Sequence, residues 1–382
     1  MGVRTGTRLG YGASDGHEAL DYGAGGVTVV GGILPMRLSE FDYHLPEELI
    51  AQEPLAERDR SRLLVVDRKT QAIEHRFFYD LADYLRDDDL VVLNDTRVTR
   101  ARLVGRKETG GRAEVLLLER LGPGLWEAMV KPGRRVGVGV RLIFERGLAA
   151  EVIDRTQTGG RILSFLPASV PDCEGGTDAG EIDELVAGVG QVPLPPYIHK
   201  PLEDPERYQT VYAASEGSTA APTAGLHFTP AMLDAIRSRG IRIVSVTLRV
   251  GIATFRPVRT PDIEDHRMHT ELFEITPASA EEINSAPGRI VCVGTTTARA
   301  LESAAVGRRK VRATVEQTGL FIRPGYDFKI VEALVTNFHM PRSTLLIMVS
   351  AFAGVELVRK AYREAVRERY RFLSFGDAML LS

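Results

Sequence analysis

The chain has few thiols. Its 382 residues include two cysteines, Cys173 and Cys292, far apart in sequence. Two distant thiols build neither a disulfide framework nor a zinc site, and they fit a reducing cytosol. Long hydrophobic runs are also missing. The longest, STLLIMVSAFAGV at 343–355, is too short to span a bilayer and too far from the N-terminus to be a signal peptide. There is no excess of positive charge. With a formal net charge of −3, no global basic field announces nucleic acid, although a local basic patch on such a protein still binds phosphate. Neither GxGxxG nor GxxxxGKS occurs, which removes support from the ordinary dinucleotide and P-loop readings. What remains is the composition of a soluble globular protein, 44% hydrophobic and 26% charged, long enough for two domains or for one with an insertion.

Residues 1–35 are Gly-rich and aperiodic (GYGASDGHEALDYGAGGVTVVGG), which predicts a disordered extension with Met36 as the functional start. Segment 36–97 mixes helical spacing that stops at Pro54 (LPEELIAQEP) with β-rich runs, RLLVVDR and LVVLNDTRV, and an amphipathic stretch, FFYDLADYLRDDD. From 98 to 196 come short β-type runs separated by Gly, Pro and charged residues, the pattern of a small antiparallel barrel or sandwich. The stiff connector PLPPYIHKP closes that segment. From 197 onward strands alternate with helices. PAMLDAIRSRG carries a full set of boundary signals: Thr229 as N-cap, Pro230 at the first helical position and Gly240 beyond the end. Ser343 caps a later helix, and ELVRKAYREAVRERYRF is a charged amphipathic one. The expectation is an α/β domain made of 36–97 and 197–382, its sheet mostly parallel with flanking helices, interrupted by an inserted antiparallel β-barrel at 98–196.

In open α/β sheets ligands bind beyond the carboxyl ends of the strands. Four such ends carry unusual residues: NDTR at 94–97, LRVGIATF at 248–255, VGTTTAR at 293–299 and TNFHMP at 336–341. At Gly294, Thr295, Thr296 and Thr297 a tight turn meets three hydroxyls and a helix N-terminus. Such a group holds an anion or a ribose, or else one Thr caps and the others fill space. The stretch GSTAAPTAGLHFTPAML at 217–233 is rich in small residues, which bury little apolar area. Ala224 and Gly225 would let a ligand approach the backbone closely. His227 lies before the helix at Pro230, where the positive helix end keeps an imidazole neutral. It is either a base or a packed histidine donating one hydrogen bond. EDHRMHTE at 264–271 places His266 and His269 three apart. HxxH is far weaker than HExxH, so a polar cluster is expected there and no metal. His339, past a strand and before a helix, either lines the same cleft or bonds to its loop. Basic clusters at 131–135, 307–312 and 359–371, the last interleaved with Tyr362 and Tyr370, are either solvated faces or an RNA surface.

Taken in order, NDTRV, RYQTVYA, AAPTAGLHFT, IEDHRMHTE, VGTTTARALES, EALVTNFHMPRSTLLIMVSAFAG and YRFLSFGDAML closely resemble the S-adenosylmethionine:tRNA ribosyltransferase-isomerase family of queuosine biosynthesis, over roughly 36–382. The resemblance implies an α/β domain with an inserted β-barrel and an enzyme that uses S-adenosylmethionine as a ribosyl donor. The acceptor is 7-aminomethyl-7-deazaguanine at the tRNA wobble position, the product is epoxyqueuosine tRNA, and adenine and methionine leave. It implies S-adenosylmethionine as co-substrate, no prosthetic group, tRNA as partner, no membrane, and a cytoplasmic monomer. Such a reaction needs a base near C5′, an acid for the adenine ring and groups that hold hydroxyls. The candidates are His227, His266 and His269 for proton transfer. Asn94, Arg97, Pro222, Thr223, Ala224, Gly225, Arg249, Gly294, Thr295, Thr296, Thr297, Asn337 and His339 are the candidates for substrate binding.

One stretch departs from the family pattern VTLxVGxGTF. The family commonly has His before Val-Gly and Gly before Thr-Phe, whereas Arg249 and Ala253 stand here. Arginine is always charged and cannot act as a general base at neutral pH. The competing expectations are therefore a scaffold with altered or lost activity that binds tRNA, and a non-catalytic RNA-binding protein. Adenine release from S-adenosylmethionine separates both from the enzyme, and S-adenosylhomocysteine would mark a methyltransferase.

Overall fold

The structure, a computed structural model, describes residues 36–157, 159–168, 179–251 and 258–382. The expected extension at 1–35, Cys173 and Ala253 lie outside the described residues.

The framework is a nine-stranded sheet. Its strands run in the spatial order Thr314–Thr318, Glu271–Ile275, Arg242–Leu248, Leu90–Asn94, Ile290–Val293, Ala333–Asn337, Ala378–Leu381, Arg62–Val66 and Ile73–Phe77. The middle four, from Arg242–Leu248 to Ala333–Asn337, are mutually parallel. Beyond them the direction reverses. Ala378–Leu381 is antiparallel to Ala333–Asn337, and Ile73–Phe77 is antiparallel to Arg62–Val66. On the other edge Glu271–Ile275 and Thr314–Thr318 are added antiparallel. The sheet is therefore mixed, which corrects the expectation of a mostly parallel one. The physical reason is the connections. Arg62–Val66 returns as Ile73–Phe77 through the short turn 67–72, and a turn of that length joins only antiparallel strands.

Strand residues alternate between the two faces with period two. Leu64, Val66, Leu90, Val92, Ile290 and Cys292 pack into one core, where the Thr295–Ser303, Thr344–Ala353 and Val355–Arg367 helices cover the sheet. Leu63, Val65, Val91, Leu93, Val291 and Val293 pack into the other, against Phe78, Leu81 and the Pro230–Ser238 helix. Two helix starts follow from single side chains: Thr229 Oγ1 accepts from Met232 N at 3.2 Å, and Ser343 Oγ accepts from Leu346 N at 3.2 Å. The helix spacing of LPEELIAQEP yields only the short 3₁₀ turn Glu47–Leu49, and FFYDLADYLRDDD only the 3₁₀ segment Phe78–Tyr84. Both stretches are too short to close several α-turns before Pro54 or the 86–89 turn.

A closed six-stranded barrel is built from Arg102–Lys107, Arg112–Gly122, Leu125–Lys131, Arg141–Ile143, Leu148–Arg155 and Arg161–Pro167, every pair antiparallel. Its interior holds Leu103, Val115, Leu142, Val152 and Leu163, all fully buried. The Ala179–Val189 helix, which has no strand-like pattern, lays Val186 on that core.

Candidate active site

A cavity of about 380 Å³ opens at the carboxyl ends of the parallel strands. Those ends supply Val250, Gly294–Thr296 and Thr336–Pro341. Ala220–Ala224, Tyr197, His199, Leu373 and Ser374 close the other side.

The small-residue run is held there by its own hydroxyls. Ser218 Oγ donates to Ala220 O at 2.7 Å and accepts from Val250 N at 3.0 Å, and Thr219 Oγ1 donates to Val250 O at 2.8 Å. The chain then turns through the 3₁₀ segment Thr223–His227. Ala220, Ala221, Ala224 and Leu226 are all buried, so the run does belong to the core, and its small side chains match a tight fit. Gly225 has a packing reason. A Cβ there would lie 1.9 Å from Tyr212 Oη and 2.9 Å from Thr210 Cγ2. Its bareness admits Tyr212, not a ligand. Pro222, Thr223 and Ala224 do face the cavity.

The three threonines have separate employment. Gly294, at φ 93°, makes the turn into the helix. Thr295 and Thr296 line the cavity, and Thr297, fully buried, donates to Val293 O at 2.6 Å. Thr296 Oγ1 also accepts from Asn94 Nδ2 at 3.1 Å. Asn94 itself is spent on structure. Its amide also reaches Leu248 O, and its Oδ1 accepts from Leu248 N at 3.0 Å and Thr96 N at 3.2 Å. It ties two strand ends together and supports Thr296 from behind.

His339 lines the cavity, with Nε2 2.8 Å from Thr336 Oγ1 and its backbone N–H donated to Tyr362 Oη at 3.0 Å. Burial pulls its pKa down to about 3, so the ring is neutral at ordinary pH. His227 is placed differently from a ligand-facing base. It is buried beside Phe78, with ring centroids 4.8 Å apart, and lines a smaller neighbouring pocket. Its Nε2 is 3.2 Å from Asn337 Nδ2 and its Nδ1 is 2.7 Å from Ser61 Oγ. An amide nitrogen only donates, so Nε2 accepts and the ring proton sits on Nδ1. Burial, then the charges of Arg371 and Arg58, pull the pKa of His227 down to about 3. The ring is neutral as the sequence suggested, but burial and two arginines are the cause, where a helix end had been expected. Asn337 faces the cavity. It donates to His227 and to Leu373 O at 3.1 Å, while its buried Oδ1 has no partner among the described residues.

The remaining candidates are not among the cavity-lining residues. Arg97 pairs with Glu206 at 2.7 Å. His266 packs edge-on against Phe321 and is half-buried, with its pKa lowered by burial and then by His269, which is exposed. Among the described residues no group of His, Cys, Asp and Glu is arranged to hold a metal. Arg249 lies along Gly217, whose Cβ would meet its Cδ at 3.1 Å, and its buried Nε has no partner among the described residues. Sequence reasoning passed over Tyr197 and Ser374, whose hydroxyls are 2.7 Å apart at the cavity wall. The signal was an aromatic ring inside a proline-rich connector.

The basic clusters also separate. Arg308 pairs with Asp327, Arg309 with Glu332 and Arg312 with Glu316, while Arg359 and Arg367 pair with glutamates of their own helix. Arg134 and Arg135, exposed on the barrel loop, make no ion pair among the described residues. No helix among those residues is long and apolar enough to cross a membrane.

The family model described as "Queuosine biosynthesis protein" matches residues 38–381. The chain is 53% identical over 351 residues to the S-adenosylmethionine:tRNA ribosyltransferase-isomerase of Pelotomaculum thermopropionicum, covering 91% of this chain and 100% of the relative. It is 50% identical over the same shares to that of Thermotoga petrophila. The crystal structure of S-adenosylmethionine tRNA ribosyltransferase from Thermotoga maritima is similar with a TM-score of 0.51 at 40% identity, covering 90% of this chain and 100% of that one. With nearly its whole described length matched, the chain belongs to the queuosine biosynthesis family.

Proposed function

We propose that the protein is an S-adenosylmethionine:tRNA ribosyltransferase-isomerase. It moves the ribosyl unit of S-adenosylmethionine onto 7-aminomethyl-7-deazaguanine at the tRNA wobble position, giving epoxyqueuosine and releasing adenine and methionine. The observation that carries the reading is 53% identity across the full length of a relative bearing that activity in its name. The cavity suits the donor. Its volume is that of a small-molecule site, largely apolar with a few convergent polar groups.

S-Adenosylmethionine supplies a sulfonium that acidifies its neighbouring carbon. The chain supplies the rest. His339, neutral and facing the cavity, is the proton acceptor. Thr295 and Thr296 hold hydroxyls at the start of their helix. Asn337 presents a free carbonyl oxygen to a donor on the substrate, and His227 holds the amide in that orientation. The barrel loop with Arg134 and Arg135 contacts the tRNA backbone. The catalytic domain is 36–97 with 197–382 and the inserted domain is 98–196, a reading supported by barrel strands that all fall between 102 and 167. The protein works as a cytoplasmic monomer without a prosthetic group.

The test is a product assay with tRNA carrying the precursor base. Adenine and methionine are expected in equal amounts with modified tRNA. S-Adenosylhomocysteine in their place would make the protein a methyltransferase, and no consumption of S-adenosylmethionine would make it a binding protein.

A further inference from the structure

Beside the main cavity lies a second, small pocket of about 20 Å³, room for about one water-sized atom such as a single oxygen. Arg58, Arg207 and Arg371 converge on it, together with Ser61, His227 and Ser374. Among the described residues no carboxylate lines it. Ser374 lines both spaces, and His227 in this pocket is bonded to Asn337 in the main one.

The three guanidiniums are half-buried and are pinned mainly by neutral carbonyls. Arg58 donates to Leu226 O at 3.1 Å and Glu206 O at 3.0 Å. Arg207 donates to Leu55 O at 2.5 Å and Ala56 O at 3.3 Å, and Arg371 donates to Glu53 O. Carbonyls fix the geometry but leave the charge in place. The nearby carboxylates are otherwise engaged: Asp377 accepts from the backbone N–H groups of Arg62 and Arg371, Glu53 pairs with Lys200, and beside Arg58 Glu206 pairs with Arg97 while Asp204 accepts from Glu206 N. Two donors are left over. Arg207 Nε and Arg371 Nη1 are buried and make no hydrogen bond among the described residues. Unpaired donors alone do not mark a site, since Arg299 Nε and Nη2 are also without a hydrogen bond among the described residues, but Arg299 faces the carboxylate of Glu271. Buried Arg161 spends Nε and both terminal nitrogens on the carbonyls of Val136, Gly159, Gly160 and Gly133. Three permanent charges brought together with unused donors repel one another, and a bound anion would offset that cost.

We propose that the pocket walled by Arg58, Arg207 and Arg371 is an oxyanion subsite that anchors an anionic group of a substrate whose reacting part occupies the main cavity. The inference rests on the proposed function, which offers two sources of that chemistry: the carboxylate of the donor's methionine end and a phosphodiester of the acceptor tRNA.

The unaltered protein can be tested with neutral analogues. Calorimetry compares S-adenosylmethionine with its carboxamide, and an anticodon stem-loop RNA with versions carrying one methylphosphonate at each phosphate around the wobble nucleotide. One analogue is expected to bind about ten-fold more weakly or worse, the scale of a lost charge-assisted pair, and that analogue names the source. In Arg371→Gln the parent and that analogue should bind alike. If this variant fails to fold, the comparison on the unaltered protein still decides. Adenine release is measured in the same samples. A protein that turns over yet binds every neutral analogue within two-fold of its parent overturns the subsite and leaves the enzyme standing. A protein that binds neither parent and releases no adenine overturns both.

Discussion

The side-chain amide of Asn337 donates to Nε2 of His227 across 3.2 Å, while its own Oδ1 stays buried at the cavity wall without a partner among the described residues. The histidine thus sets which way an amide faces. Asn337→Ala should lower kcat/KM about ten- to hundred-fold, the loss of one well-placed hydrogen bond at a buried site. His227→Ala should lower it too, and the double variant should be no slower than Asn337→Ala, because the two act as a unit. His227→Gln can still accept from the amide and should keep more activity than His227→Ala. A Gln variant as slow as Ala would make the imidazole itself the proton acceptor.

The threonines should separate by role. Thr295→Val and Thr296→Val should raise the Kd for S-adenosylmethionine with little change in melting temperature. Thr297→Val removes a buried bond to Val293 O and should cost about 1 kcal/mol of stability while leaving the Kd unchanged. Equal effects at all three positions, read by calorimetry and thermal melts, would refute this division.

Gly225→Ala should destabilise the protein by about 1–3 kcal/mol, since the new methyl group meets Tyr212 Oη. Adding Tyr212→Phe should recover part of that loss in a denaturant titration. A Gly225→Ala protein of full stability but poor substrate binding would restore the idea of close ligand approach.

Arg299 and Glu271 form an ion pair with both partners buried. Glu271 also accepts from Gly251 N at 2.8 Å, close to the strand end that carries Val250 into the cavity. Glu271→Gln leaves a buried guanidinium without its counter-charge and should cost about 3–5 kcal/mol. Chemical denaturation measures it, and a loss below 1 kcal/mol would contradict the burial.

Stability should fall in mild acid. His227 and His339 have folded pKa values of about 3 against an ordinary 6.5, so between those values the unfolded chain binds more protons. Their contribution is complete above about pH 6.5 and is lost as pH falls toward 3, by up to about 1.4 kcal/mol per pH unit for each ring. Melting temperature from pH 7.5 to 4.5 reads this. His339→Gln should flatten the slope, and an unchanged slope would mean that the ring is not buried neutral.

Much of this was readable along the chain because it depends on neighbours in sequence. Thr229 and Pro230 start a helix through one hydroxyl and one fixed φ, and Ser343 does the same. Thr276 and Pro277 carry the same signal and start the Pro277–Asn284 helix, which periodicity alone did not reveal. The barrel followed from evenly spaced short strands. The carboxyl-end loops drew attention to Gly294, Thr296, Asn337 and His339, and all four face one cavity.

Contacts between distant segments decided the rest. Strand direction at the sheet edges depends on which strand each segment pairs with, and periodicity is the same for either direction. A glycine beside a ligand and a glycine beside Tyr212 look alike until the ring is in place. His227 was legible as a neutral histidine. That it faces Ser61 and Asn337, and reaches the cavity only through the latter, follows from three segments meeting in space. Arg58, Arg207 and Arg371 are unremarkable charges in sequence. Only the fold gathers them, because a convergence of side chains is a property of tertiary packing and leaves no mark on any local stretch.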